Sequence, residues 1–543
     1  MLSHLSLPLS LLLLTSVAFA QAPVVVLSPG DLLPNGDTVR IIWAAEIAAG
    51  GEWIARVDTN RATGGIGGAV LTSEGNLMAI GDDVPGLPGA TIQSLTHIAR
   101  DDQGRTYCQM SVRLVNGAMR SLLHSNFTSP LLDQDDEING ILIPEINDIE
   151  VNSSGTLLVN GRFMEATHTP TQYRGIAALQ VSGGAVTSVV VLVDGSVPPP
   201  GQFAPIHTFW TGEDNYVLGD AGGLAWAANL SGSPATTVAY DLAGNLLLKG
   251  GTPSPIPGRL WATAVNASFD INASGSLLMA ADIDGSISDD ELYVLDGVVV
   301  RREGDPVPGQ AGLSFRILDR VVNLSDGGDL IHWAVLNGLP NSSNAVVMMG
   351  DQILVREGAT LTSTGETIAE LTSTTRATAD GRWILFKGWL AGDASSRLML
   401  VESKPVVGAA YCSAEPNSTG QFALTCAYGS DVVQEANVRL SCTAMPANTF
   451  GYFLASRTQG NVLFPGGSAG RLCLGGAIAR FVSLAQNSGV GGIMDVAIDL
   501  TSIPVSPPTA VLPGETWNFQ AWFRDFGSPP TSNFAQPTSV TFQ

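Results

Sequence analysis

The chain has 543 residues, with 61 Gly, 31 Pro, 45% hydrophobic residues, only 14% charged residues and a formal net charge of −23. This length exceeds one core of ordinary size, and so many turn formers beside so many apolar residues indicate an all-β protein and exclude a disordered one. A surface with this net negative charge repels phosphate backbones and anionic lipid, so nucleic acid and membrane surfaces are excluded as partners. Cations, neutral glycans and proteins are the partners that this charge allows.

The N-terminus has the features of a secretory signal peptide. Residues 7–17 are mainly apolar and contain LLLL, and an A-x-A cleavage motif follows at 18–20. The pattern predicts a signal peptide over residues 1–20 and a secreted or cell-surface mature protein without a transmembrane helix. An uncleaved anchor helix is the alternative, which Pro8 and the short apolar run disfavour.

A repeat of about 54 residues runs as far as residue 401. Its first marker is a turn glycine, clearest in GVVVRREGDPVPG at 297–309, and its second is a Gly or Asn at a hairpin turn. The first marker recurs at intervals of 51 to 61 residues, at Gly30, Gly81, Gln134, Gly195, Gly251, Gly304 and Gly358. The second recurs at intervals of 51 to 60 residues, at Gly51, Gly104, Gly155, Asn215, Gly275, Gly328 and Gly381. Two independent markers with one period indicate a true repeat.

Each repeat contains four short β-runs, for example FRILDRVVNL, DLIHWAVL, NAVVMM and QILVRE in repeat six. This period and strand number predict a seven-bladed β-propeller over residues 21–404. Residues 24–27 form a fourth strand with no partners before it, and the last repeat lacks a clear fourth strand. These residues are therefore predicted to complete the seventh blade and close the ring. An open array or two smaller sheets is the alternative.

The repeat resembles that of tandem-repeat, propeller-like proteins exported by planctomycete-type bacteria, whose repeats pair an N-x-x-G turn with an R-E-G-D-P-V-P-G-like turn. The match is best at 272–304 and weaker in repeats three and four, where Gln134 and Asn215 replace glycine. The resemblance implies no particular chemistry.

The pattern changes after residue 404, and residues 405–543 contain roughly eight β-runs with Pro and Gly turns, which predicts a β-sandwich. In ETWNFQAWFRD at 515–525, apolar and mainly polar residues alternate. The alternation predicts one buried face, with Trp517, Phe519, Ala521 and Phe523, and one solvated face, with Asn518, Gln520 and Arg524.

Four of the five cysteines lie in this region: Cys412, Cys426, Cys442 and Cys473. An even number suits disulfides in an exported protein, and the sequence alone permits three pairings. The fifth, Cys108, lies in an apolar strand and is predicted to be buried.

Four stretches of the C-terminal region resemble a module found at the ends of many secreted planctomycete-type proteins: YCSAEPNSTG (411–420), PANTFGYFLASRTQG (446–460), LCLGGAIARF (472–481) and PGETWNFQAWFRD (513–525). The resemblance implies a Cys412–Cys473 disulfide and leaves Cys426–Cys442 as an additional pair between neighbouring strands. It also suggests a role in sorting or surface attachment, with a plain accessory sandwich as the alternative.

The sequence contains no G-x-S-x-G, H-E-x-x-H, P-loop or dinucleotide motif, so no catalytic residue is predicted. The histidines of the mature chain fall at unlike positions of the repeat, which favours core or rim positions: His97, His124, His168, His207 and His332. Five tryptophans on predicted strands are expected in the core rather than in a glycan-binding platform: Trp43, Trp53, Trp333, Trp383 and Trp389.

The long loops of the predicted propeller, from strand four to strand one and from strand two to strand three, share one face and carry most of the acid clusters. Because loops on a rigid scaffold commonly bind ligands, six acids are predicted to bind one: Asp82, Asp83, Asp135, Asp136, Glu137 and Asp305. The stretch DIDGSISDDE resembles a calcium loop, which makes calcium the only suggested cofactor, through Asp282, Asp284, Asp289, Asp290 and Glu291. Solvated acidic loops are the alternative for both sets.

Together these features predict an exported, non-enzymatic binding protein. Its loop face would recognise an extracellular glycan or protein ligand, and its C-terminal module would sort or attach it to the cell surface. The alternatives are a polysaccharide-active enzyme that uses carboxylates as acid and base, and a structural component of the cell surface.

Overall fold

The computed structural model describes residues 22–60, 66–134, 136–152, 154–165, 168, 172–209, 215–220, 222–231, 236–263, 267–308, 310, 312–403, 406–435, 438–489, 492–526 and 531–543. The predicted signal peptide at 1–20 and Asp135 lie outside these residues. Within them the regular structure is strand, apart from four short 3-10 turns at Asn341–Ser343, Val433–Glu435, Pro465–Gly467 and Val482–Leu484. The described part of the chain has no helix with the length and apolar character of a membrane span.

The described residues between 24 and 402 form seven antiparallel sheets, numbered here along the chain from sheet 1 to sheet 7. The strands of sheet 1 are Val39–Ile47, Trp53–Asn60, Ile66–Thr72 and Leu77–Ala79. Those of sheet 2 are Thr91–Arg100, Thr106–Arg113, Met119–Ser125 and Ser129–Asp133. Those of sheet 3 are Ile141–Val151, Leu157–Glu165, Gln172–Ser182 and Ala185–Asp194, and the short strand Glu137–Ile138 pairs with the first of them. Those of sheet 4 are a first strand in two segments, Ile206–Phe209 and Tyr216–Leu218, followed by Leu224–Leu230, Thr237–Asp241 and Leu246–Lys249.

The remaining three sheets follow the same plan. The strands of sheet 5 are Ser268–Ile271, Leu277–Asp282, Glu291–Leu295 and Val298–Arg302. Those of sheet 6 are Ser314–Leu324, Leu330–Asn337, Ala345–Met349 and Gln352–Arg356. Those of sheet 7 are Ile368–Ala377, Trp383–Leu390, Arg397–Glu402 and, from the beginning of the chain, Val24–Leu27.

Consecutive sheets pack through shared hydrophobic clusters, and the last cluster joins sheet 7 to sheet 1. In that cluster Leu385 and Leu398 of sheet 7 lie with Ala55 and Leu71 of sheet 1. Val24–Leu27 pairs antiparallel with Arg397–Glu402, so the first strand of the chain is the outer strand of the last sheet. The sheets therefore form a closed ring, which confirms the predicted all-β propeller and protects its strand edges.

The turn between the first and second strands of each sheet is a four-residue hairpin turn that requires a positive φ. The glycine at its fourth position has a positive φ in every sheet: Gly51, Gly104, Gly155, Gly222, Gly275, Gly328 and Gly381. Each of these glycines donates its N–H to the carbonyl of the residue three before it. The marker predicted at Asn215 was wrong, because Asn215 precedes the short strand Tyr216–Leu218 and the turn glycine of sheet 4 is Gly222.

The C-terminal region is a β-sandwich, as predicted. One sheet has the strand order Val406–Val407, Leu424–Gly429, Val438–Thr443, Met494–Ala497. The other has the order Ala409–Ala410, Thr538–Thr541, Thr516–Asp525, Phe450–Ser456, Ala479–Arg480. Thr531–Phe534 pairs with Thr516–Asp525, Gln486–Asn487 pairs with Phe450–Ser456, and Thr458–Leu463 forms a separate hairpin with Arg471–Gly475. Leu440 and Cys442 from the first sheet share a core with Phe453 and Trp517 from the second.

The prediction of a solvated face on Thr516–Asp525 was right for Arg524, which is exposed, and wrong for Asn518 and Gln520. Asn518 and Gln520 are 1% and 0% exposed. The hairpin that includes Arg471–Gly475 covers them: the Gln520 amide donates to the carbonyl of Arg471 and its Oε1 accepts the N–H of Cys473. The polar side chains on this face therefore satisfy the backbone of a covering segment rather than water.

The structure contains the predicted Cys412–Cys473 disulfide. The second predicted pair was wrong, since Cys426 and Cys442 are free thiols. Cys426 lies directly opposite Ser441, and Cys442 lies opposite Thr425. Because directly opposite residues share a face of a sheet and successive residues alternate, the two sulfurs lie on opposite faces. Cys108 is buried as predicted, and burial raises the pKa of its thiol to about 12.

The sandwich packs on the face of the propeller that carries the hairpin turns. The Arg382 guanidinium of sheet 7 lies over the ring of Tyr428 in the sandwich, 5.5 Å from its centroid. Arg439 of the sandwich contacts Gly327 in the hairpin turn of sheet 6. The opposite face, which carries the long loops, lies away from these contacts.

Candidate binding site in the propeller channel

The innermost strands border a central channel that is narrow near the hairpin turns. Side chains two residues before the turns line it: Glu46, Glu150, Val217, Asp270, Asn323 and Arg376. Arg376 Nε lies 3.0 Å from Glu46 Oε2, and the Asn323 amide donates to the carbonyl of Thr375 over 3.3 Å. The cavity at this level is 190 Å³, and these two contacts join neighbouring sheets around it.

Further along the channel, toward the loop face, innermost strands are irregular at one common level. Five of them shift register against their second strand in mid-strand, at 42–44, 95–98, 146–148, 318–322 and 371–375. The innermost strand of sheet 4 comes in two segments, Ile206–Phe209 and Tyr216–Leu218. Bulges turn side chains away from the regular alternation and are frequent beside functional sites. The irregular innermost strands therefore turn side chains toward the channel at this level.

We call the polar and aromatic side chains at this level the bulged layer: Trp43, His97, Asp148 and Arg320. They lie four or five residues before the first residue of the hairpin turn in their sheets. His97 Nδ1 is 2.9 Å from an Asp148 carboxylate oxygen, and Arg320 Nη2 is 2.6 Å from Asp282 Oδ2. The bulged layer thus combines an aromatic ring, a histidine–carboxylate contact and an arginine–carboxylate ion pair.

Trp43 was wrongly predicted to be in the core. Its side chain is 50% exposed, because the register shift at 42–44 turns it away from the contacts between blades. Trp53 is buried as predicted, and Trp333, Trp383 and Trp389 are half-buried. In the sequence, the exposure of Trp43 was indicated only by its position in the middle of an innermost strand.

Two of the histidines predicted at core or rim positions are buried. His124 and His332 are 1% and 0% exposed, and burial lowers the pKa of His332 to about 4. His168 lies on the loop face, 2.6 Å from a carboxylate oxygen of Asp194. These three histidines are accounted for by packing and pairing.

The end of the channel under the sandwich carries three aspartates that the sequence analysis missed: Asp102, Asp220 and Asp326. Each is the second residue of a hairpin turn, in sheets 2, 4 and 6, and accepts a backbone N–H from the turn of the preceding sheet. The distances to these nitrogens are 2.9 Å from Ala49, 3.0 Å from Ser154 and 2.8 Å from Ala273. The aspartates thereby join the turns of neighbouring sheets in three pairs, 1 with 2, 3 with 4 and 5 with 6.

These carboxylates border a cavity of 470 Å³ between the propeller and the sandwich. Burial raises the pKa of Asp102 to about 7 and that of Asp326 to about 6, and repulsion from Asp220 and Asp380 adds to both shifts. In the sequence, these aspartates could have been found as an Asp two residues before the turn glycine in alternate repeats.

Of the six acids predicted to bind a ligand, the five that the structure describes lie on three separate loops. Asp82 and Asp136 accept N–H groups of their own loops, from Ala79 over 3.1 Å and from Asp133 over 2.8 Å. Asp83, Glu137 and Asp305 are exposed, and Asp135 lies outside the described residues. They belong to separate loops between sheets 1 and 2, 2 and 3, and 5 and 6, so the placement of these acids gives no support to their prediction as one site.

In the predicted calcium loop, arginine side chains pair with the carboxylates of Asp284 and Asp289. Asp284 Oδ1 accepts the N–H of Leu260 over 2.9 Å and lies 3.1 Å from Arg259 Nε. Asp289 Oδ2 lies 3.0 Å from Arg259 Nη1 and 2.9 Å from Arg302 Nη2. Within the described ranges, no group of three or more His, Cys, Asp or Glu side chains is arranged to hold a metal ion. The geometry gives the calcium prediction no support, because guanidinium groups neutralise these carboxylates.

A carboxyl pair from the same region reaches the bulged layer. The Glu291 and Glu303 side chains are hydrogen-bonded, with Asp290 beside them, and burial together with their mutual proximity raises the pKa of Glu303. Burial also raises the pKa of Glu291, whose Oε2 accepts the N–H of Leu318 over 3.0 Å at the start of the bulge in sheet 6. The pair therefore keeps a proton at a higher pH than an ordinary carboxyl group does.

The sheets and their packing define the class of fold, a β-propeller followed by a β-sandwich. No family model and no curated protein matches the chain. Solved structures that match include a gluconolactonase from Xanthomonas campestris, with 12% identity over 67% of this chain and 99% of that one and a TM-score of 0.26. A Trypanosoma rangeli sialidase in complex with 2,3-difluorosialic acid has 10% identity over 96% and 92% of the two chains and a TM-score of 0.30. An α-L-arabinanase from Penicillium chrysogenum has 10% identity over 70% and 98% and a TM-score of 0.25. Likeness of this extent carries no argument about activity.

Proposed function

We propose that this chain is an exported, non-enzymatic saccharide-binding protein, and that the bulged layer of its channel holds the ligand. The observation that carries the proposal is the common level of the five register shifts, where half-exposed Trp43 lies with the His97–Asp148 contact and the Arg320–Asp282 ion pair. A sugar ring has an apolar C–H face, which fits an indole, and a rim of hydroxyls, which fits charged donors and acceptors.

The position of the sandwich supports the same proposal. It covers the hairpin-turn face, so a ligand would enter the channel from the loop face. We propose that the sandwich sorts the protein or attaches it to the cell surface, which would leave the loop face exposed to extracellular glycans.

Replacing Trp43 tests the binding site. We expect Trp43→Ala to weaken binding of the best saccharide from a glycan array at least tenfold, because the aromatic wall of the site is lost. Isothermal titration calorimetry measures the affinity. Phe450→Ala is the matched control, since Phe450 is 57% exposed but lies on the sandwich. Unchanged affinity of Trp43→Ala, or no binding of any saccharide by the wild-type protein, would contradict the proposal.

A second candidate function is carboxylate-dependent hydrolysis of a polysaccharide, which the Glu291–Glu303 pair favours. A carboxyl group that keeps its proton near neutral pH can act as a general acid. If the chain has this activity, we expect Glu291→Gln and Glu303→Gln each to lower turnover by at least a hundredfold. Reducing-sugar release from a panel of marine and plant glycans measures it, with exposed Asp305→Asn as the control. Absence of turnover by the wild-type protein across the panel would remove this candidate.

A further inference from the structure

A second concave site lies on the loop face, in the crevice between sheets 3 and 4. It has a volume of 500 Å³, and its lining includes Arg162, Arg174, Ser196 and His207. Arg162 lies on the second strand of sheet 3 and Arg174 on the third, while His207 lies on the first strand of sheet 4. Cationic side chains therefore meet in one crevice of a chain whose net charge is −23.

The two arginines form a like-charge pair between neighbouring strands, which is unfavourable in a β-sheet. Arg162 and Arg174 are direct cross-strand partners, and like charges in that arrangement destabilise a sheet. Glu145 lies opposite Arg162 on the other side, with 2.6 Å between its Oε2 and Arg162 Nε. Glu145, Arg162 and Arg174 thus form a row across three neighbouring strands, with two guanidinium groups and one carboxylate.

Arg174 is the member of the row without an acidic partner among the described residues. Its Nη1 donates to the carbonyl oxygen of His207 over 3.4 Å, which directs the guanidinium toward sheet 4. Gly195 allows the chain to pass closely here, because a Cβ at that position would lie 2.7 Å from the carbonyl oxygen of Arg174. The remaining N–H donors of this guanidinium line the crevice.

The wall of the crevice is held in place by pairing and stacking. The Tyr173 ring is buried and stacks on His168, with 4.0 Å between ring centroids. The Tyr173 hydroxyl donates to Glu165, and His168 pairs with Asp194. Because these groups are engaged with each other, the two guanidinium groups of Arg162 and Arg174 are the described cationic groups in the lining, with the His207 side chain beside them.

We propose that this crevice binds the anionic group, a carboxylate or a sulfate ester, of an acidic saccharide. A guanidinium fork matches the paired oxygens of either group, and an anion between Arg162 and Arg174 offsets their repulsion. A crevice of this volume accommodates about one or two sugar units. The strongly acidic surface opposes anions in general, and a dedicated pair of arginines overcomes this at short range. This inference rests on the proposed saccharide-binding function and adds the class of sugar.

The test compares three ligands of equal length: a galacturonic acid trimer, a sulfated galactan trimer and a neutral galactan trimer. Titration calorimetry of the full chain in 50 mM salt is expected to show at least tenfold tighter binding of one or both acidic trimers than of the neutral one. Arg174→Gln is expected to remove this preference, and Arg174→Lys to retain part of it, because lysine keeps the charge but loses the fork. The matched control is Arg113→Gln, since Arg113 is an exposed arginine at the loop-facing end of a second strand in sheet 2.

The results separate this inference from the proposed function. Equal binding of the three trimers, or an unchanged preference in Arg174→Gln, would overturn the acidic-saccharide inference. Binding of the neutral trimer that depends on Trp43 would at the same time uphold the proposed function. A preference for the acidic trimers that survives Trp43→Ala and is lost in Arg174→Gln would support the crevice while contradicting the bulged layer as the binding site.

Discussion

The double variant Asp102→Asn, Asp326→Asn is expected to exceed the wild-type protein in stability by about 3 kcal/mol at pH 8 and to equal it near pH 4. Burial raises the pKa of the two carboxyls to about 7 and about 6, from an ordinary value near 3.8. At pH 8 both are ionised in the folded protein, where burial and the neighbouring Asp220 and Asp380 disfavour the charge. Asparagine removes the charge and keeps an oxygen for the N–H groups of Ala49 and Ala273.

The sign follows from proton binding. Between pH 4 and 7 the folded state retains protons that the unfolded state has released, so the contribution of these groups to stability falls as the pH rises. It becomes constant above the pKa of about 7 in the folded protein. Each pKa unit corresponds to about 1.4 kcal/mol, and partial exposure reduces the total from the two shifts. His332, whose pKa is lowered, titrates with the opposite sign but identically in both proteins.

Urea unfolding at pH 4, 5, 6, 7 and 8 measures the difference between the variant and the wild-type protein. Asp305→Asn, on the exposed loop face, is the control and is expected to show no pH-dependent difference. A stability difference that is the same at every pH, or a variant less stable than the wild-type protein at pH 8, would contradict the assignment. The experiment tests whether the charge between the propeller and the sandwich opposes their packing.

The architecture could be predicted from the sequence because a local requirement recurs in every blade. A four-residue hairpin turn needs a positive φ at its last position, and glycine meets this need at Gly104, Gly275 and Gly328. The prediction failed at Asn215 because the innermost strand of sheet 4 is divided in two, which shifts the turn to Gly222. The repeat length therefore predicts the position of a turn only where the strand before that turn has the usual length.

The site was less predictable because register and distant partners decide it. Alternation assigns Trp43 to the core, and only the register shift at 42–44 turns it outward. The acidic loop at 282–291 resembles a metal site until Arg259 and Arg302 come to it from other segments. Similarly, Arg162 and Arg174 are unremarkable in sequence, and only their cross-strand register makes them neighbours.

Removing the Cys412–Cys473 disulfide is expected to lower the stability of the sandwich by about 4 kcal/mol. The bond joins residues 61 apart, so its loss frees a long loop of the unfolded chain. Cys473 is fully buried, and its N–H and carbonyl are bonded to Gln520 and Tyr411. The disulfide therefore fixes the N-terminal segment of the sandwich to the hairpin that covers Thr516–Asp525.

The comparison uses Cys412→Ser, Cys473→Ser against Cys426→Ser, which removes a half-buried free thiol and is expected to change stability by less than about 1 kcal/mol. Urea unfolding without reductant measures both. Alkylation of the unfolded wild-type protein under the same conditions counts its thiols, and three modified cysteines are expected, at Cys108, Cys426 and Cys442. One modified cysteine would show that Cys426 and Cys442 are bonded after all. That bond would require a shift of one residue between Leu424–Gly429 and Val438–Thr443, which would turn the side chains of one strand to the other face and remove Leu440 or Ala427 from the core.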